Sequence, residues 1–206
     1  MKVSTTTINL PEPPRLILAS TSPRRRELLS RLGIPFSTIA PHCDETLLPA
    51  ENPECTVKRL AQQKASAVFS EHTDAVVLGC DTIVAVDDMI LGKPKDRNDS
   101  LRILRLLNGR SHFVFTGVCL MYAQQVLCDV VATQVTFANF SDDILRNYAN
   151  SGEGDDKAGS YAIQGMGAFL VQSITGSPTN VIGLPLCHVA NILNKIGFKL
   201  FSQASL

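Results

Sequence analysis

The chain has 206 residues, 45% of them hydrophobic, which is enough to close one substantial core. Nineteen basic residues balance nineteen acidic ones, so no whole-molecule field would draw the chain to nucleic acid or to an anionic membrane, and any positive potential must be local. No run approaches the roughly eighteen apolar residues of a membrane span, and the Thr- and Pro-rich residues 1–14 read as a frayed tail ahead of one domain over residues 15–206.

Residues 16–19 are a short apolar run that predicts a strand, and Ser22 followed by Pro23 supplies the N-cap and first turn of a helix. Leu28, Leu29 and Leu32 form the inner stripe of that helix, which Gly33 closes. Asn52 and Pro53 open a second helix, with Val57, Leu60, Ala61, Ala65 and Val68 at helical spacing and an end near His72. Residues 76–78 and 83–86 predict one extended β region interrupted by Gly79 and Asp81, and Asp87-Asp88 turns the chain into residues 89–91. A helix is expected over residues 97–107, ending at Gly109. Two longer runs, 112–122 and 126–137, flank Ala123-Gln124-Gln125 as an antiparallel hairpin. Ser141 caps a further helix, with Asp142 and Asp143 in its first turn. Residues 168–174 alternate as a strand and residues 185–196 form an amphipathic helix. This order predicts an α/β chain with a mixed, α+β-type sheet.

The six cysteines, at 43, 55, 80, 119, 128 and 187, include no C-x-x-C pair and sit mostly in apolar segments. A reduced, cytoplasmic protein with buried structural thiols is expected. The histidines at 42, 72, 112 and 188 lack H-x-x-x-H or H-E-x-x-H spacing, so no preformed zinc site is expected.

Four segments carry chemistry. In Ser20-Thr21-Ser22-Pro23-Arg24-Arg25-Arg26, three arginines crowd the positive end of a helix dipole. That placement costs up to ~1 kcal/mol until an anion arrives, and it then lets N–H groups, hydroxyls and guanidinium groups converge on a phosphate. A solvated charged face is the competing reading. Lys64 falls on the apolar stripe of its helix, where its stem snorkels or its ammonium meets an acid or a phosphate oxygen. Asp81 interrupts an apolar β segment, a costly position unless it is paired, metal-bound or at a cleft. Beside bound polyphosphate it could hold a divalent cation, deprotonate a water, or do both. Gly92-Lys93-Pro94-Lys95 follows it and is by itself only a surface loop. Last, the segment 155–167 offers glycines for close approach, Tyr161 as a stacking face and Gln164 as donor and acceptor. It lacks the G-K-[ST] ending of a Walker A loop, and alone it is an ordinary Gly-rich loop.

In order, these segments resemble the Maf family of house-cleaning nucleotide pyrophosphatases, from about residue 15 to 198. The matching blocks are Leu-Ala-Ser-Thr-Ser-Pro-Arg-Arg-Arg (18–26), Asp-Glu-Thr (44–46), Arg-Leu-Ala-Gln-Gln-Lys-Ala (59–65), and Gly-Cys-Asp-Thr-Ile-Val (79–84) with Gly-Lys-Pro (92–94). Asp-Lys-Ala-Gly-Ser-Tyr-Ala-Ile-Gln-Gly (156–165) and Asn-Val-Ile-Gly-Leu-Pro (180–185) complete them. The resemblance implies an elongated, ITPase-like mixed α/β fold with two lobes and a central cleft, a divalent cation such as Mg²⁺ or Mn²⁺, and a homodimer. It makes Asp81 the proton acceptor, with Lys64 and Lys93 catalytic and Ser20, Ser22 and Arg25 on the triphosphate. It also sets Glu45 beside Asp81 at the metal. Arg24, Thr82 and Gln164 match the branch that resembles dTTP and UTP pyrophosphatases, whereas the 7-methyl-GTP branch carries Trp, Gln and Glu. Neutral Gln164 suits the imide edge of uracil or thymine. The contrasting readings are a 7-methyl-GTP-type enzyme and a non-catalytic, nucleic-acid-binding regulator of septum formation, the latter opposed by the neutral charge.

Overall fold

The computed structural model describes residues 14–87 and 89–201. The tail read over residues 1–14 lies, apart from Pro14, outside the described residues, as do Asp88 of the 87–88 turn and residues 202–206. In chain order the elements are β1 (Leu16–Ala19), α1 (Pro23–Ser30), β2 (Phe36–Ile39), α2 (Pro53–Phe69), β3 (Val76–Val86), β4 (Met89–Leu91) and α3 (Arg97–Leu107). They continue with β5 (Ser111–Tyr122), β6 (Gln125–Phe137), α4 (Asp142–Ser151), two short 3-10 turns, β7 (Val171–Thr175), α5 (Pro178–Ile182) and α6 (Leu186–Lys195). Among the described residues the seven strands form one sheet in the order β2-β1-β3-β5-β6-β7, with β4 folded back on the end of β3. The β2-β1-β3 pairs are parallel and the remaining pairs antiparallel, which is the mixed α/β architecture expected. No helix among the described residues is long and apolar enough to cross a membrane.

The period-two alternation of the long strands divides the core. On one face α2 lays Ala61, Ala65 and Val68 against Ile17, Val77 and Cys119. On the other face two clusters form. One joins Leu18, Leu78 and Leu120 to Leu28, Leu29 and Leu193, and the second joins Val84 and Val114 to Leu104, Phe137 and Tyr161. Between them β3 presents Thr82 and β5 presents Thr116, their hydroxyls 2.9 Å apart. Two lobes meeting at a polar seam are therefore built into the side-chain pattern of two strands.

Several expectations shift. β3 is continuous through Gly79 and Asp81, because β5 pairs with it from Val77 to Ala85 without a break, while β1 pairs on the other side as far as Gly79. β2 and the five-residue α5 were not anticipated, and residues 168–170 belong to a 3-10 turn (Met166–Leu170) rather than to β7. The hairpin turn is the two residues Ala123-Gln124, since Tyr122 pairs with Gln125. The reading of six buried, reduced thiols is corrected. Cys119 and Cys128 face each other across β5 and β6 and form a disulfide, and Cys55 and Cys187 are free and exposed. That pairing becomes visible only once the hairpin register is known. Cys80 keeps the inert role, its thiol pushed up to about 11 by burial.

Candidate active site

β1 stops at Ala19, directly opposite Gly79, so Ser20 emerges beside the middle of β3. Asp81 lies two residues past Gly79 and hence on the face covered by α2. There Lys64 Nζ donates to Asp81 Oδ1 at 2.7 Å and to Glu45 Oε2 at 2.6 Å. The Lys64 and Asp81 side chains are only 9% and 10% exposed, whereas Glu45 is 54% exposed and reaches in from an irregular loop. Each buried charge is thus paired, which offsets its desolvation. One ammonium against two carboxylates leaves a formal net charge of −1.

α1 builds the facing wall. Ser22 caps it, its hydroxyl accepting from Arg25 N at 3.4 Å, while Ser20 Oγ accepts from Ser22 N at 3.1 Å. Arg25 donates from Nε to the Gly183 carbonyl (2.8 Å), from Nη1 to the Cys80 carbonyl (2.8 Å) and from Nη2 to Thr82 Oγ1 (3.0 Å). These bonds use three of its five N–H donors and leave two for a ligand. At the rim, Arg24 Nη1 meets Asp156 Oδ2 at 3.3 Å. The Lys157 ammonium beside Asp156, with help from Arg24, holds that carboxyl below its ordinary range.

All of these groups open on one cavity of about 630 Å³, a size suited to a small-molecule ligand. Lys93 enters it from the loop after β4, and Gln164 stands exposed on its wall. Gly159 N donates to the Gly92 carbonyl at 3.3 Å, which joins the Gly-Lys-Pro turn to the segment that carries Gln164. The same grouping extends through sequence comparison, where residues 15–196 match the Maf family, described as Maf-like protein. The chain belongs to the Maf family. It is 48% identical to a dTTP/UTP pyrophosphatase of Myxococcus xanthus over 190 residues, covering 92% of this chain and 96% of the relative. Proteins with the same name from Bacillus velezensis (46% over 187 residues, 90% and 98% covered) and Pseudoalteromonas atlantica (45% over 185 residues, 88% and 96% covered) are similar throughout.

Ten residues singled out in the sequence line this cavity, namely Ser20, Ser22, Arg24, Arg25, Glu45, Lys64, Asp81, Thr82, Lys93 and Gln164, whereas Arg26 of the arginine triplet and Lys95 of the Gly-Lys-Pro-Lys turn do not. Their partners differ from expectation in places. The Thr82 hydroxyl is engaged by Arg25 and Thr116, so it acts on the pocket through the Arg25 guanidinium. Tyr161 is 6% exposed, edge-on to Phe137 and bonded to His112 Nε2 at 3.0 Å, so its ring belongs to the core rather than serving as a stacking platform. Lys157 is turned to Asp156 and to the Glu153 carbonyl.

The sequence reading missed the groups that hold this machinery in place. Buried Asn180 donates to the Val114 and Val131 carbonyls at 2.9 and 3.1 Å, pinning α5 and the nearby Gly183 carbonyl to the sheet. Arg59 binds Glu51 through Nε (2.9 Å) and Nη2 (2.7 Å) and reaches the Thr46 carbonyl at 3.2 Å, which ties the Glu45 loop to α2. A Glu and an Arg eight residues apart across a helix start carried no signal until the loop was seen to fold back.

Proposed function

We propose that this chain hydrolyses dTTP and UTP to the monophosphate and pyrophosphate. The observation that carries the reading is the buried Lys64–Asp81 pair opening on the same cavity as the α1 N-terminus, Lys93 and Gln164. Lys64 occupies Asp81 Oδ1 and so orients the carboxylate, whose other oxygen accepts the proton of the attacking water. The water oxygen bonds to the α-phosphorus, the bond from that phosphorus to the bridging oxygen breaks, and pyrophosphate leaves. Lys93, the two spare N–H donors of Arg25 and the Ser20 and Ser22 hydroxyls offset the charge that accumulates on the phosphate oxygens. Neutral Gln164, with both a donor and an acceptor, matches the imide edge of a pyrimidine.

The donor set fits a divalent cation. Glu45 and Asp81 bring hard carboxylate oxygens to one point, and the three-group cluster carries a net negative charge. Among the described residues no group of three or more His, Cys, Asp or Glu side chains could hold a metal. Two carboxylates plus phosphate oxygens are what Mg²⁺ or Mn²⁺ uses in nucleotide sites. Glu45 and Asp81 would hold it, and it would lower the pKa of a bound water and neutralise phosphate charge. A cytoplasmic homodimer completes this reading, and sedimentation of the pure protein tests the dimer.

The deciding experiment is pyrophosphate release from a panel of nucleoside triphosphates with Mg²⁺ or Mn²⁺. dTTP and UTP are expected to lead, and Asp81→Asn to lower kcat by about 10²- to 10⁴-fold, the usual worth of a positioned base. Release that Asp81→Asn leaves untouched would overturn the proposal.

A further inference from the structure

The wall that presents Gln164 has no strand or helix of its own. It lies between two 3-10 turns, Ala158–Ser160 and Met166–Leu170. Its backbone is held instead by two side chains from outside the cavity. Glu153 Oε1 accepts from Met166 N at 2.7 Å, and its Oε2 accepts from Gly167 N at 2.7 Å and from the Tyr148 hydroxyl at 2.8 Å. That hydroxyl in turn accepts from Ala162 N at 3.1 Å. Backbone N–H groups on both sides of Gln164 are therefore bound to one carboxylate and one phenol.

The bracket is anchored deeply. Tyr148 is 5% exposed in the core of the second lobe, and Glu153 follows the left-handed Gly152 that ends α4. Lys157 Nζ holds the Glu153 carbonyl at 2.5 Å. Burial alone would raise the Glu153 carboxyl, yet bonds from Gly167 N, Tyr148 and Met166 N outweigh it and keep the group below its ordinary value. Two amides and a phenol all donate, so they need a group that only accepts, and a carboxylate is the side chain that does so with two oxygens. Neither Glu153 nor Tyr148 lines the cavity.

We propose that Glu153, working with Tyr148, is a positioning residue that sets Gln164 for reading the nucleotide base. The inference rests on the pyrimidine pyrophosphatase reading above. It assigns base selectivity to residues that never touch the substrate. Glu153→Gln keeps the shape of the side chain but replaces one acceptor oxygen with an NH₂ group, which faces a donor at one end of the bracket.

The test compares wild type, Glu153→Gln and Tyr148→Phe. It measures pyrophosphate release from dTTP and from dATP, which lacks the imide edge, together with amide hydrogen exchange across residues 162–167 in the free protein. Loss of a charge-assisted bond at Glu153→Gln is expected to raise KM for dTTP about tenfold, leave kcat within about threefold, and cut the dTTP/dATP preference about tenfold. Exchange at Met166 and Gly167 is expected to speed by a similar factor. Tyr148→Phe is expected to do the same more weakly, about threefold, with exchange at Ala162 affected. The proposal is overturned if the preference stays within twofold of wild type while kcat falls equally on both nucleotides, or if exchange in the segment is unchanged. Should Glu153→Gln not fold, Tyr148→Phe decides by the same criteria. Wild-type protein that releases no pyrophosphate from dTTP would overturn the reading of function, whereas the exchange rates report on the bracket separately.

Discussion

Asp81 and Glu45 share a single ammonium, and that sharing makes the loss of its partners unequal. Asp81→Asn leaves Lys64 bonded to Glu45, so no buried charge is stranded. Lys64→Met leaves two carboxylates without a cation, one of them 10% exposed. Breaking such a pair from one side costs about 3 kcal/mol or more. Urea unfolding is therefore expected to show Lys64→Met less stable than wild type by about 3 kcal/mol and Asp81→Asn within about 1 kcal/mol, although both are expected to lower kcat. A reversed order would show that Asp81 depends on something other than Lys64. Both residues were legible in the sequence for the same reason: a charged side chain stood where periodicity demanded an apolar one. The bonds of Arg25 were not legible. Two of its acceptors are the carbonyls of Cys80 and Gly183, 55 and 158 positions away, and a carbonyl is common to every residue type.

At the scale of elements, α2 is the part whose placement matters most, because it carries Lys64 over β3 and β5. Gly79 and Gly117 let it come close. A Cβ at Gly79 would stand 2.4 Å from the Ala61 carbonyl oxygen, and one at Gly117 would stand 2.1 Å from that of Val57. Gly117 is the cross-strand partner of Asp81, so the helix backbone comes close to the sheet beside the Asp81 carboxylate. Gly117→Ala should push α2 outward, lower stability by about 2 kcal/mol in the manner of an overpacked core, and depress kcat as Lys64 moves with its helix. Gly92→Ala, with nothing within 4 Å of the added carbon, should leave the melting temperature unchanged. Equal thermal shifts in the two variants would contradict the close approach. These glycines also explain where the sequence misled. Gly79 and Asp81 look like breaks in a strand when read alone, whereas one admits a helix backbone and the other is paired with Lys64 on a continuous β3. The long elements α2, α3, β5 and β6 show their period over several turns or pairs. β2 and α5 span four and five residues, too few for any period to emerge.

At the scale of the whole molecule, the polar seam between the two lobes makes each lobe's core answerable for one wall of the cavity. The second lobe buries His112 among Phe137 and Tyr161, its Nε2 bonded to the Tyr161 hydroxyl, and burial pushes its pKa down to about 4. In the unfolded chain the same ring titrates near ~6.5. The folded value lies below the unfolded one, so the fold favours neutral imidazole. Its contribution is complete above about pH 6.5 and is lost as the pH falls from there towards 4. A shift of this size is worth about 3 kcal/mol. The carboxylates that the fold stabilises, such as Asp142, whose carboxyl the Arg105 guanidinium draws down to about 2, act at lower pH, so the two effects occupy different windows. Urea unfolding between pH 7.5 and 4.5 should show wild type losing roughly this amount, while His112→Leu gives a flatter curve. The wall bearing Gln164 should loosen over the same range, because Tyr161, from which that wall runs on to Gln164, is packed on that imidazole and bonded to it. Parallel curves for wild type and His112→Leu would mean that acid sensitivity enters through another group, and that the second lobe tolerates a charge at its centre.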